Sequence, residues 1–203
     1  MKKSITIIST CGANFASLQA ACLRLGYDSI VTDDIGLLQQ ASHIILPGVG
    51  AAGYAMNALR ERGLDHVLPR LTQPVLGICL GMQLLCDFSE EDNTSCLNII
   101  PLNVNVLTGE RIYPHMGWNQ IIPSYSDDQL LQDIALNDDL YFVHNYAPEV
   151  QAPFTQAVCS YGEPFSAYIK HNNFHGVQFH PEKSGVVGER ILRNFFELSS
   201  LSP

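Results

Sequence analysis

The sequence predicts a doubly wound α/β fold, a mostly parallel sheet with helices on both faces, joined in the C-terminal half by a smaller set of antiparallel strands. Three observations carry that prediction. β-Branched runs of strand length alternate with helical patterns up to Phe88, an order that pairs strands in parallel because each crossover needs a helix. The runs end in glycine-bearing loops, at the sheet edge where open α/β folds place their sites. At 203 residues with 46% apolar content, the chain suits one sizeable core, so residues 1–203 read as a single domain.

Each element follows from local chemistry. Residues 4–9 (Ser-Ile-Thr-Ile-Ile-Ser) form a buried-strand run, and after a turn at Thr10-Cys11-Gly12-Ala13 a helix spans 14–25, with Asn14 as its N-cap and Gly26 as its stop. Residues 27–31 make a second strand. Asp33-Asp34 opens a short helix reaching Gln40, and His43-Ile44-Ile45-Leu46 is the third strand, running into the loop Pro47-Gly48-Val49-Gly50-Ala51-Ala52-Gly53. Helical patterns follow over 55–62 and 64–71. Pro74 begins a fourth strand that ends at Ile78, and Met82, Leu84, Leu85 and Phe88 repeat at helical spacing after it.

The pattern then changes. Ser89-Glu90-Glu91-Asp92-Asn93 reads as a solvated acidic turn, and residues 97–139 as short strands and turns, with strands at 104–106 and 119–122 around Pro114-His115-Met116-Gly117-Trp118-Asn119. Residues 140–146, 157–161 and 165–169 are further strands, with a turn at Gly162-Glu163-Pro164. The stretch from Phe174 to Ser184 carries His180 and Glu182 in a strand register, and a helix over 188–198 closes the fold.

Composition excludes several classes of function. A formal charge of −9 with eleven scattered Lys and Arg residues leaves no basic stripe for nucleic acid. The basic start Met1-Lys2-Lys3-Ser4 precedes an apolar run too short for a signal sequence, and no run reaches membrane-spanning length, so a cytoplasmic protein is expected. Six cysteines without C-x-x-C spacing predict reduced thiols rather than a disulfide framework. His171, His175 and His180 invite a metal reading, but the turn at Asn172-Asn173 breaks their spacing, so no metal is expected.

The chemistry concentrates in Leu76-Gly77-Ile78-Cys79-Leu80-Gly81-Met82-Gln83. Strand, tight turn and helix in that order, with a glycine two residues either side of Cys79, describe a nucleophile elbow with cysteine in place of serine. The helix start favours negative charge on the sulfur and leaves the Leu80 N–H free for an oxyanion. A buried packing cysteine would occupy the same turn. His180 and Glu182 are spaced as a base and the carboxylate that orients it, with Pro181 ending strand pairing between them. The loop at Val49 and Gly50 has the glycines to turn N–H groups inward, or is an ordinary βα loop. His144, at a strand end, reads as a satisfied core histidine. Taken together these groups make a Cys79-His180-Glu182 triad with an oxyanion hole at Leu80 and Val49-Gly50, suited to opening a carboxamide or ester through a thioester.

Gly77-Ile78-Cys79-Leu80-Gly81-Met82-Gln83 with Phe179-His180-Pro181-Glu182 resembles the class I, or triad, glutamine amidotransferases. Pro47-Gly48-Val49-Gly50, Pro114-His115-Met116-Gly117-Trp118-Asn119 and Tyr141-Phe142-Val143-His144 are similar to the branch of glutaminases that serve imidazole glycerol phosphate synthase, and the likeness spans essentially the whole chain. The resemblance implies a flavodoxin-like glutaminase with no cofactor, L-glutamine as substrate, and a heterodimer with a separate (βα)8-barrel cyclase subunit. That partner would take the ammonia to make imidazole glycerol phosphate and aminoimidazole carboxamide ribotide in histidine biosynthesis. It also implies that Gly48 and Gln83, with backbone at Asn145 and Tyr146, bind glutamine, and that Asn14, Trp118, Tyr141 and Lys183 face the partner. Two departures stand out: Ser9-Thr10-Cys11-Gly12 where many members carry Asp-(Tyr/Thr)-Gly, and Asn145 where Ser or Thr is usual. Val49 in place of a second glycine predicts a peptide that must turn before its N–H faces an oxyanion. The alternatives are a glutaminase of a guanylate, anthranilate, carbamoyl phosphate or pyridoxal phosphate synthase, a stand-alone cysteine hydrolase, and a silent binding subunit.

Overall fold

The structure is a computed structural model that describes residues 3–109 and 111–199; Met1 and Lys2 of the basic start lie outside them. The main sheet is built from β1 (Ile5–Ile8), β2 (Ser29–Thr32), β3 (His43–Gly48) and β4 (Val75–Cys79), separated by α1 (Phe15–Arg24), α2 (Ile35–Gln40), α3 (Ala52–Glu61) and α4 (Leu64–Val67). After α5 (Leu80–Leu84) come β5 (Phe88–Ser89), β6 (Thr94–Ser95), β7 (Asn103–Val106), β8 (His115–Asn119) and β9 (Ile122–Pro123). The chain ends with β10 (Leu140–His144), β11 (Tyr146–Pro148), β12 (Thr155–Tyr161), β13 (Glu163–His171), β14 (Phe174–Val177) and α6 (Gly185–Glu197).

Eight strands form the main sheet in the order β2-β1-β3-β4-β14-β13-β12-β9. β2 through β14 pair in parallel, whereas β13, β12 and β9 pair antiparallel. The C-terminal antiparallel strands therefore extend the parallel sheet as well as forming two small sheets, β10-β8 and β11-β7-β5-β6. Helices cover both faces because each strand sends alternate side chains to opposite sides. One core takes Ile5, Ile7, Ile45, Leu76 and Ile78 with Leu18 of α1 and Phe195 of α6, and the other takes Ile8, Ile44, Leu46 and Val75 with Leu38, Met56 and Leu64 of α2, α3 and α4. Local caps fix the helix starts as expected: Asn14 accepts from Ser17 N at 3.1 Å and Asp34 from Leu37 N at 2.9 Å.

Several boundaries differ from the sequence reading. The helix expected to reach Phe88 stops at Leu84, and Phe88 pairs with Asn103 in β5, because Asp87 N–H is drawn to the Leu102 carbonyl. The stretch 64–71 is helical only to Val67 and then tightens to a 3₁₀ turn at Leu68–Arg70, where Pro69 has no N–H to give. A strand expected at 119–122 lies instead at His115–Asn119, where pairing with β10 places Gly117, with φ 139°, opposite Phe142. His180 and Glu182 are not in a strand: β14 ends at Val177, and Pro181–Lys183 is a 3₁₀ turn with His180 as its N-cap. The turn is held from outside by His180 N–H to the Tyr141 carbonyl at 2.8 Å and by Ser184 Oγ to the His180 carbonyl at 2.7 Å.

Candidate active site

β3, β4 and β14 lie side by side, and their carboxyl ends deliver the candidate groups to one edge, with Gly48 in register beside Cys79 and Ile78 beside Val177. Cys79 closes β4 with φ 54° and ψ −113°, a conformation that side-chain-bearing residues seldom adopt, costing about 1–3 kcal/mol. The strain thus sits on the cysteine itself. Gly77 and Gly81 have a different task from the sharp bend expected of them: a Cβ at Gly81 would stand 1.8 Å from the Leu46 carbonyl oxygen, and one at Gly77 would stand 2.7 Å from that of Gly81. Only glycine lets α5 press this closely against β3 and β4.

The cysteine opens into a cavity of about 380 Å³ lined by Val49, Gly50, Leu80, Gln83, Glu91, Val143, His144, Asn145, Tyr146, His180 and Lys183, among others. A second cavity of about 50 Å³ shares Val49, His180 and Lys183 with the first and adds Asn14, Gly48 and Glu182. So the residues named for the triad, the oxyanion and the substrate meet at one place. Of the four named for a partner, Trp118 and Tyr141 meet edge to face at 5.7 Å and Lys183 Nζ lies 5.8 Å from the Tyr141 ring centre. Asn14 is further along the small cavity, its side-chain oxygen committed to the α1 cap.

His180 Nδ1 meets Glu182 Oε1 at 2.9 Å, and both side chains are 5% exposed. Burial alone would lower the imidazole pKa, but the nearby Cys79 sulfur and the Glu182 carboxylate on Nδ1 outweigh it and raise it to about 9. Nε2 is buried with no hydrogen bond, as is Glu182 Oε2, although the sulfur is near enough to act on the imidazole electrostatically. Burial pushes the thiols of Cys11, Cys96 and Cys159 to about 12 and that of Cys22 to about 11, which keeps them protonated and unreactive.

The two sides of the expected oxyanion hole differ. Leu80 begins α5, directly after the sulfur. Val49 N–H, by contrast, donates to the Cys11 carbonyl at 3.3 Å and is turned away from an oxyanion. Gln83 does not point its amide group freely into the cavity: Nε2 donates to the Tyr146 carbonyl at 2.9 Å and to Gln178 Oε1 at 3.0 Å. His144 is a satisfied histidine, with Nδ1 on the Tyr146 carbonyl at 2.9 Å and Nε2 on His115 Nδ1 at 3.0 Å.

Two contributors escape the sequence reading. Glu91, assigned to a solvated turn, reaches back so that Oε2 accepts the Ala52 N–H of α3 at 2.9 Å, and it lines the cavity with its pKa raised by burial against that N–H. Gln178 is fully buried and donates to Cys79 Sγ at 3.7 Å. A glutamate three residues after Phe88, within reach of a glycine-loop helix start, is a weak signal for the first; nothing local marks the second. Among the described residues no cluster of three or more His, Cys, Asp or Glu could hold a metal, and no helix is long and apolar enough to cross a membrane.

A family model described as glutamine amidotransferase class-I matches residues 11–198. Imidazole glycerol phosphate synthase subunit HisH of Pasteurella multocida is 49% identical over 196 residues, 96% of this chain and 98% of that protein. HisH of Salmonella typhimurium is 46% identical, over 96% of this chain and 100% of that protein. Among solved structures, a glutamine amidotransferase aligns with a TM-score of 0.74 at 16% identity, covering 95% of this chain and 97% of its own. One from Thermotoga maritima aligns at 0.68 and 15%, covering 97% of each. At such identities these two speak for the fold alone.

Proposed function

The chain belongs to the class I glutamine amidotransferases, and from that premise we propose that it is the glutaminase subunit of imidazole glycerol phosphate synthase. It hydrolyses L-glutamine to glutamate and supplies the ammonia to a (βα)8-barrel cyclase subunit in the cytoplasm. The observation that carries this is a strained cysteine sharing one cavity with a carboxylate-held imidazole whose Nε2 is unoccupied.

The reaction follows from the groups present. Cys79 Sγ attacks the side-chain carboxamide carbon of glutamine, and the Leu80 N–H takes part of the charge on the oxygen. His180, holding a proton that Glu182 helps retain, gives it to the departing nitrogen, and ammonia leaves as the thioester forms. The imidazole then takes a proton from water, whose oxygen opens the thioester to glutamate and frees the sulfur. Glu91, the acidic residue on the cavity wall, suits the α-ammonium of the substrate, and the backbone at Asn145 and Tyr146 its α-carboxylate. The small cavity shared by His180, Asn14 and Lys183 leads ammonia toward the partner face formed with Trp118 and Tyr141.

The Val49 peptide makes the site conditional. While its N–H is held by the Cys11 carbonyl, the oxyanion has one donor instead of two, and removing one such donor costs about 10²–10³ in rate. Partner docking with its nucleotide bound turns the peptide inward. Assaying glutamate release by the isolated chain, by the complex, and by the complex with nucleotide tests both statements. Release rising steeply only in the last case is expected; equal rates in all three would sink the switch, and no release in any would sink the glutaminase reading.

A further inference from the structure

The triad and the oxyanion loop leave unused a pair of buried histidines, His144, which lines the same cavity, and His115, which is hydrogen-bonded to it. His115 on β8 and His144 on β10 face each other across the two-stranded ribbon and are 2% and 6% exposed. Their hydrogen bonds can be followed one proton at a time. A carbonyl oxygen only accepts, so His144 Nδ1, 2.9 Å from the Tyr146 carbonyl, carries the hydrogen. Burial lowers the His144 pKa to about 3 and that of His115 to about 4, so both rings are neutral and His144 Nε2 is a bare acceptor. His115 Nδ1, at 3.0 Å, must then be its donor, which leaves His115 Nε2 to accept from Asn119 Nδ2 at 3.4 Å. The chain Asn119 to His115 to His144 to Tyr146 therefore runs in one direction only.

Its end point is the peptide at the substrate wall. Leu107 N–H donates to the Asn145 carbonyl at 2.9 Å, so Asn145 faces β7 and the next residue, Tyr146, turns its N–H and carbonyl the other way, toward Gln83 and His144. We propose that His115 and His144 are positioning residues for glutamine: the His115 N–H holds the neutral ring of His144 in place through Nε2, and His144, beside Gln83, pins the Tyr146 carbonyl and so aims the Tyr146 N–H at the substrate carboxylate. Without the His115 donor, His144 Nε2 becomes a buried acceptor with no partner, the ring is no longer fixed from its far side, and Gln83 Nε2 is the firm donor left on the Tyr146 carbonyl. His115 is held for this task between Phe142 and Tyr161, ring centres 4.9 and 4.1 Å away and nearly parallel to both. The inference rests on the glutaminase reading, although the tautomer itself does not.

The sandwich supplies the test. His115→Phe keeps the aromatic stack and removes the donor, whereas His115→Asn keeps a donor near Nδ1 and loses the stack. In the complex with its barrel subunit and nucleotide, H115F should raise KM for glutamine about tenfold with a smaller change in kcat, and H115N should recover most of the loss, a pattern opposite to that of a packing role. Nitrogen-15 shifts of labelled histidine should place the His144 hydrogen on Nδ1 in all three proteins, and should show its Nε2 as a hydrogen-bonded acceptor in the natural protein and in H115N but as an unbonded one in H115F. An unchanged KM in folded H115F, or a rise that H115N fails to reverse, would overturn the proposal. So would an Nε2-protonated His144 in the natural protein, which decides the matter even where H115F does not fold. Absence of glutamine hydrolysis by the natural complex would instead count against the function proposed above, and the His144 tautomer would then decide for the pair by itself.

Discussion

His180 and His144 line the same cavity and are 4% and 6% exposed, yet the first is held protonated to about pH 9 and the second stays neutral to about pH 3. Burial acts on both in the same direction, since it opposes the charged ring. What separates them is the company each keeps. His180 has the Glu182 carboxylate on Nδ1 and the sulfur of Cys79 nearby, whereas His144 has a carbonyl, a second imidazole and the positive charge of His180 itself. One site thus contains a proton donor and a ring that cannot compete for its proton, and the division is made by neighbours rather than by depth.

The comparison breaks most completely at Cys79, the proposed nucleophile. Cys79→Ser should lower glutamine-dependent turnover of the complex with the proposed barrel subunit on the order of 10⁴-fold or more, while added ammonia still drives synthesis there. Glutaminase activity close to the natural level in C79S would move the chemistry elsewhere in the cavity. Next, Glu182→Gln keeps the shape of the partner and removes its charge, so the His180 pKa should fall from about 9 toward the ordinary imidazole value. The expected outcome is a kcat/KM lower by roughly 10²-fold and an alkaline limb of the pH–rate profile shifted to lower pH; a limb that stays in place would show that another group sets it.

Stability against pH sharpens the contrast because the two kinds of histidine have opposite signs. His144 at about 3 and His43, His115 and His175 at about 4 all lie below the free value of 6.5, chiefly through burial. Below 6.5 the unfolded chain takes up protons that the folded chain refuses, so stability falls as the pH drops toward 4. His180 is raised, so its contribution is complete below 6.5 and is lost as the pH rises through about 9. Urea midpoints should therefore drop between about pH 7 and pH 5; a flat profile across that interval would mean the buried rings are charged. The smallest effect is a control: Glu189→Ala removes the exposed Arg24–Glu189 pair at 2.6 Å, with side chains 53% and 31% exposed, and should cost less than about 1 kcal/mol in the same unfolding assay. A larger loss would undo the argument that company matters chiefly where water is excluded.

The parallel half of the fold is legible in the sequence because its information is local. Strand runs such as Ile5–Ile8, the caps at Asn14 and Asp34, and the glycine-flanked Cys79 each announce themselves within a few residues. β8 does not: His, Met, Gly, Trp and Asn have no apolar alternation, and the segment is extended only because Leu140–His144 pairs with it. The His-Pro-Glu turn shows the opposite case, in which spacing identifies the right pair of residues but suggests the wrong geometry, since the turn is braced by Tyr141 and Ser184 from outside it. Glu91 and Gln178 escape for the same physical reason. Their partners, Ala52 in one case and Cys79 in the other, are far away in sequence, and spacing carries no trace of them.

The placement of β14 has a consequence for the order of events in synthesis. That strand, formed late in the chain, is inserted between β4 and β13, and Gln178, which touches the sulfur, follows Cys79 by 99 residues. A growing polypeptide that has already exposed its thiol has neither the imidazole nor the strand that holds the elbow from its far side. Under the proposed mechanism, a growing chain that ends before His180 should be inert toward glutamine, and hydrolytic capacity should appear only once the turn after the last strand is in place. In this molecule the topology itself acts as the signal that the protein is finished.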